Sequence, residues 1–214
     1  MKAIYKNGRF EFSFWVYVPE DLQEGEKLPL MLFLHGAGER GEDLELVLKH
    51  GLPKYFKESP PVRAIMVAPQ CPLGITWINQ IEKLKSFFDK ILATYPVDLD
   101  KVTLTGISMG GFGTWEYAMT YPETFAAIAP ICGGGQAWRC DSLIHMPIRT
   151  FHGDKDDVVS PFYSYEMVDT LLRKGGNPEL TIFHNVAHNS WEPAYEKTDL
   201  IAWLAKQDKK TNRQ

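Results

Sequence analysis

From residue 10 to residue 18 the chain reads F-E-F-S-F-W-V-Y-V before Pro19. Apolar and polar positions largely alternate, as in a strand with one covered face. Farther along the pattern changes: residues 30–34, 64–68, 102–105, 126–131 and 148–151 are short, nearly unbroken apolar runs, the mark of strands covered on both faces. Between them lie segments of helical period, Ile81-Leu84-Phe88-Ile91, residues 112–119, Tyr165-Val168-Leu171-Leu172 and residues 191–204. Strand and helix alternate to a last short strand at Thr181-Ile182-Phe183. That order predicts one domain over residues 1–214, an α/β fold whose mostly parallel central sheet carries helices on both faces. In such a sheet ligands sit at the C-terminal ends of strands, so chemistry is expected just after them.

Composition leaves this picture intact. The 214 residues are 44% hydrophobic and 23% charged, with a net charge of −4, which suits a packed domain and disfavours a nucleic-acid partner. The basic tail at residues 206–213 is expected to be a frayed, solvated end. No apolar run is long enough for a membrane span, and M-K-A-I-Y-K-N-G lacks the apolar centre of a leader. The expectation is a cytoplasmic protein with no membrane partner, or an exported one if a leader was removed. Cys71, Cys132 and Cys140 form no C-x-x-C pair and are read as reduced thiols, with a Cys132–Cys140 bridge open to an exported protein.

The chemistry concentrates at V-T-L-T-G-I-S-M-G-G, where an apolar strand runs through Gly106-Ile107-Ser108-Met109-Gly110 into a helix. A bare G-x-S-x-G recurs by chance in roughly one chain of this length in ten. The strand-turn-helix context is what marks Ser108 as a nucleophile. A serine hydroxyl needs a base within hydrogen-bond reach and an acid to orient that base. Three acids, Asp154, Asp156 and Asp157, follow the run ending at Phe151. Asp156 is preferred, as far enough past the turn to swing back. For the base, His188 on the loop after the last strand is preferred to His184 at the strand end. His35, His50, His145 and His152 are read as loop-supporting or surface imidazoles. Backbone N–H groups of Ala37, in the glycine-rich loop H-G-A-G-E-R-G, and of Met109 are the candidate oxyanion donors. Gly38, Gln70 and Trp77 are the candidate substrate-lining residues, with Trp77 as an aromatic wall. Gly133-Gly134-Gly135 is read as a permissive segment that lets the chain turn after the strand at 126–131.

The segments L-P-L-M-L-F-L-H-G-A-G-E-R-G, A-P-Q-C-P, G-I-S-M-G-G-F-G-T-W, A-P-I-C-G-G-G, F-H-G-D-K-D-D-V-V and A-H-N-S-W together resemble the phospholipase/carboxylesterase branch of the α/β-hydrolase superfamily, with its dienelactone-hydrolase-like predicted esterases. The resemblance spans almost the whole chain. It implies the α/β-hydrolase fold, Ser108, Asp156 and His188 as a catalytic triad, Ala37 and Met109 as oxyanion donors, and no cofactor or metal. Asp157 departs from the proline usual there, and residues 135–140 depart from the usual charged helix. The implied activity is hydrolysis of short-chain or water-soluble carboxylic esters, small or carbohydrate-linked, including acetyl and feruloyl esters. A serine peptidase of the prolyl-oligopeptidase type is the competing reading, and a non-catalytic binding protein on the same scaffold is the third.

Overall fold

The structure is a computed structural model describing residues 1–5 and 9–212. Residues 6–8, within the segment read for a leader, and Arg213 of the basic tail lie outside the described residues. Among the described residues, eight strands form one sheet: β1 (Lys2–Ile4), β2 (Phe14–Tyr17), β3 (Leu28–Leu34), β4 (Ile65–Pro69), β5 (Val97–Ile107), β6 (Ala127–Ile131), β7 (Arg149–Gly153) and β8 (Glu179–Phe183). Their order is β1-β2-β4-β3-β5-β6-β7-β8. β1 and β2 are antiparallel to their neighbours, and every pairing from β4 to β8 is parallel. The chain thus winds in both directions from β3, with helices α1 (Leu52–Glu58), α2 (Ile81–Thr94), α3 (Met109–Thr120), α4 (Phe162–Arg173), α5 (Trp191–Glu196), α6 (Leu200–Lys206) and α7 (Lys209–Asn212) between and after the strands.

The central strands alternate their side chains between two apolar layers. Leu30, Leu32 and Leu34 of β3 face one layer with α2 and α3 residues; Met31 and Phe33 face the other, with Leu52, Leu200 and Leu204. Coverage on both faces explains why these strands read as continuous apolar runs. α2 shows the amphipathic stripe its sequence predicts: Ile81, Leu84, Phe87, Phe88 and Ile91 are buried, each such side chain contributing about 1.5–3 kcal/mol on burial.

Three expectations change. The strand foreseen from residue 10 begins only at Phe14. Phe10 and Phe12 are nonetheless buried, both packing on Phe87, so the alternation recorded burial without a ladder. The single helix foreseen over residues 191–204 is two, broken at Lys197–Asp199, where Thr198 Oγ1 donates back to Ala194 O and accepts from Leu200 N. The tail is not a frayed end as far as Asn212: Asn212 Nδ2 donates to Ala126 O and Lys209 Nζ to Glu123 O. Among the described residues no helix is long and apolar enough to cross a membrane, and the three cysteines are free, buried thiols.

α3 meets the sheet at unusually close range. A Cβ built on Gly110 would lie 1.9 Å from Leu34 O and 2.8 Å from His35 O, both backbone atoms. Gly110→Ala is therefore expected to destabilise the fold by about 3 kcal/mol or more, lowering the melting temperature by roughly 6–12 °C. Wild-type stability in a urea melt would contradict the close approach of α3 to β3.

Candidate active site

Every candidate group lies beyond the C-terminal end of a parallel strand. Ser108 links β5 directly to α3, and the turn takes it to φ 52, ψ −118. Side chains rarely adopt this left-handed region, and holding one there costs about 1–3 kcal/mol. The turn needs glycine at position 106, where a Cβ would lie 2.3 Å from Gly110 O. The reward is placement: the hydroxyl stands at the head of α3, partly exposed.

His188, on the loop after β8, turns its Nε2 to Ser108 Oγ at 2.9 Å and its Nδ1 to Asp156 Oδ2 at 2.8 Å. The ring is 20% exposed at its side chain, and Trp191 braces it edge-to-face at 5.4 Å. Asp156 has no exposed side-chain surface. Its Oδ1 accepts from the N–H groups of Val158 and Val159 at 3.0 and 2.9 Å, which locks the carboxylate plane. Burial pushes the Asp156 carboxyl pKa up, but the hydrogen bonds from His188, Val159 and Val158 outweigh it, and the net direction is downward. A carboxylate so held stays charged and fixes the proton of His188 on Nδ1, leaving the Nε2 lone pair for Ser108.

The competing residues are placed elsewhere. Asp157 is exposed. Asp154 pairs with His184 at 2.7 Å, and that ring is 82% exposed. His50 lies 3.8 Å from Glu192 and tilts against Trp191.

Ala37 and Gly38 open a short 3-10 turn, Ala37–Glu39, both exposed. Gly36, which precedes it, sits against Ser108, a Cβ there lying 3.7 Å from Ser108 Cβ. Ala37 N–H is thus at the start of a turn beside the serine, and Met109 N–H is at the start of α3, both positions where helical geometry leaves donors unpaired. The loop is fixed from below. His35 is fully buried; its Nε2 accepts from Cys71 N–H at 2.9 Å, so its proton is on Nδ1 and is donated to Gly36 O. Burial lowers its pKa to about 4, so the ring is a neutral strut. Arg40 donates to Ala37 O and Ile75 O.

Two substrate-lining expectations fall. Trp77 is fully buried, packs on Phe12 and His35, and donates its Nε1–H to His35 O at 3.0 Å. A ring with no exposed surface is core and strut, not an aromatic wall. Gln70 is 3% exposed and spends its Nε2 on Glu39 O and Asp43 O, which makes it a clamp on the loop that carries Ala37. Gly38 has open space around it.

The glycine run differs too. Gly133, Gly134 and Gly135 do not take positive φ; Cys132 does, at 41. They are needed for close approach, a Cβ on Gly134 falling 2.5 Å from Tyr163 Cβ. Tyr163 in turn meets Phe112, one turn along α3 from Ser108, at 5.6 Å. This aromatic pair had no signal in the chain, because its members come from α3 and α4. Cys132 lies under the site with its thiol pKa pushed up to about 12 by burial, so it remains protonated.

The sheet order, the strained serine turn after β5 and the His–Asp pair on the loops after β7 and β8 define the α/β-hydrolase fold. No family model matches the chain. Among solved structures it is similar to a thermostable esterase, with a TM-score of 0.83 and 32% identity over 97% of this chain and 63% of that one. It is 27% identical over 163 residues to a bifunctional acetylxylan esterase/xylanase of Neocallimastix patriciarum, covering 74% of this chain and 23% of the relative. It is 27% identical over 111 residues to poly(3-hydroxyalkanoate) depolymerase C of Paucimonas lemoignei, covering 52% of this chain and 26% of the relative. The chain thus spans about a quarter of the length of these two curated relatives.

Proposed function

We propose that this chain is a single catalytic domain, a serine carboxylesterase that hydrolyses short-chain or water-soluble esters through an acyl-enzyme on Ser108. The observation that carries the reading is the relay Asp156 Oδ2, His188, Ser108 Oγ, with contacts of 2.8 and 2.9 Å. His188 Nε2 takes the Ser108 proton as Oγ attacks the ester carbonyl. The N–H groups of Ala37 and Met109 receive the oxyanion, a contribution of about 10²–10³ in rate for each such donor. The imidazolium returns its proton to the leaving alcohol, and water, deprotonated by the same nitrogen, releases the acid.

Substrate reach follows from exposure. Ser108 and His188 are partly open to solvent, which favours small acyl groups on soluble or polymeric alcohols. The names of the relatives, an acetylxylan esterase and a poly(3-hydroxyalkanoate) depolymerase, agree with ester cleavage, and the first supports acetyl groups on carbohydrate as the first substrates to try.

Hydrolysis of p-nitrophenyl acetate, butyrate and octanoate should fall as the chain lengthens, and a serine-directed fluorophosphonate should add one equivalent of mass at Ser108. Absence of both hydrolysis and labelling would overturn the proposal.

A further inference from the structure

Asp156 is shared by two histidines. Besides His188, His152 of β7 brings its Nε2 to 3.1 Å from Asp156 Oδ2 and 2.9 Å from Val159 O. His152 has no exposed surface. Its other nitrogen, Nδ1, lies 2.7 Å from Ser164 Oγ, which also lies 3.0 Å from Gly133 O.

Hydrogen-bond accounting fixes one proton on this ring. Val159 O and the Asp156 carboxylate only accept, so Nε2 must carry a hydrogen whatever the charge of the ring. In the neutral ring Nδ1 accepts from the Ser164 hydroxyl; in the cation Nδ1 donates to Ser164, whose proton then goes to Gly133 O. Burial favours the neutral form, lowering the His152 pKa against the opposing pull of Val159 O and Asp156. The Nε2–H donor is present in both.

We propose that His152 is a positioning residue of the site: its Nε2–H braces Asp156 Oδ2 in line with His188 Nδ1 and draws on the same carboxylate oxygen that His188 uses. The inference rests on the reading of Ser108, His188 and Asp156 as a catalytic relay. Oδ1 is occupied by two backbone N–H groups, so the two rings compete for one oxygen. Loss of the second donor leaves more carboxylate charge to stabilise protonated His188. The effect has the same sign if His152 is a cation, because removing a positive neighbour also favours protonation of His188. Among the described residues, the titratable groups facing the pair are Asp156 from the loop after β7, Cys132 from the end of β6, whose Sγ lies within 4.8 Å of a His188 ring nitrogen and an Asp156 carboxylate oxygen, and, behind Trp191, His50 and Glu192. Cys132 stays protonated, and none of the others contacts Asp156 Oδ2.

The test compares His152→Phe, which fills the volume without the donor, with His152→Gln, whose amide nitrogen can occupy the Nε2 position. Imidazole NMR titration of His188 needs no substrate, so it reads the inference even if the esterase proposal fails. His188 is expected to titrate about half a unit to one unit higher in His152→Phe and to return toward the wild-type value in His152→Gln. In an active enzyme the acid limb of kcat/KM moves the same way, and kcat falls roughly tenfold with KM little changed. Should the phenylalanine variant melt far below wild type, His152→Asn, whose short amide reaches only Ser164, takes its place under the same criterion. An unchanged His188 titration in the folded donor-less variant, or a glutamine variant that behaves as the phenylalanine one does, overturns the inference. Loss of p-nitrophenyl ester hydrolysis in the wild type alone would instead count against the function.

Discussion

Ser108→Ala is expected to lower kcat for p-nitrophenyl acetate by roughly 10⁴-fold or more, because members of such a relay act as a unit and loss of the nucleophile removes the covalent route. The structure adds a second expectation that separates chemistry from folding. Ser108 sits at φ 52, ψ −118, and alanine keeps that strain while glycine does not. Ser108→Gly should recover part of the 1–3 kcal/mol or so stored in the turn, offset by the greater freedom of glycine in the unfolded chain, about 0.4–1 kcal/mol. The net gain over alanine, about 1 kcal/mol, should appear as a melting temperature roughly 2–4 °C higher at equally negligible activity. An alanine variant with residual activity within tenfold of wild type would remove Ser108 from the mechanism. A glycine variant less stable than the alanine one would show that the turn is not strained.

How much of this was legible in the chain depends on how local each feature is. The serine turn is written within about ten residues, since strand, G-x-S-x-G and helix follow one another, and the doubly covered strands announce a parallel sheet through their unbroken apolar runs. The fold class stands as read. Features assembled from distant segments were not legible. The Phe112–Tyr163 pair joins α3 to α4, and the contact of His152 with Asp156 depends on the loop after β7 folding back onto its own strand. In the chain His152 reads as merely loop-supporting because H-G-D-K-D-D shows five ionisable side chains and no direction for any of them. Trp77 failed differently: proximity in sequence to a strand end suggested a cleft wall, but its indole points inward to His35 O. The period of a pattern tells which face is apolar; it does not tell whether that face meets solvent, ligand or core.

In the chain the preference for Asp156 over Asp154 and Asp157 rests on loop position alone, and the second large expected effect comes from it. Asp156→Asn should reduce kcat/KM by about 10⁴-fold, and the geometry says why a change of one atom matters. The N–H groups of Val158 and Val159 both point at Oδ1, so the asparagine must place its carbonyl oxygen there. Its amide nitrogen is then forced to face His188 Nδ1 and His152 Nε2 and to donate where a carboxylate accepted. His188 answers by moving its proton from Nδ1 to Nε2, which directs an N–H at Ser108 and removes the lone pair that would take the serine proton. Asp157→Asn, at an exposed side chain, should leave kcat/KM unchanged. Asp154→Asn should do nearly the same, since it loses only its pairing with the exposed His184. If Asp157→Asn or Asp154→Asn proved the more damaging change, the acid would have been misassigned, and the loop after β7 would have to adopt another conformation in the working enzyme.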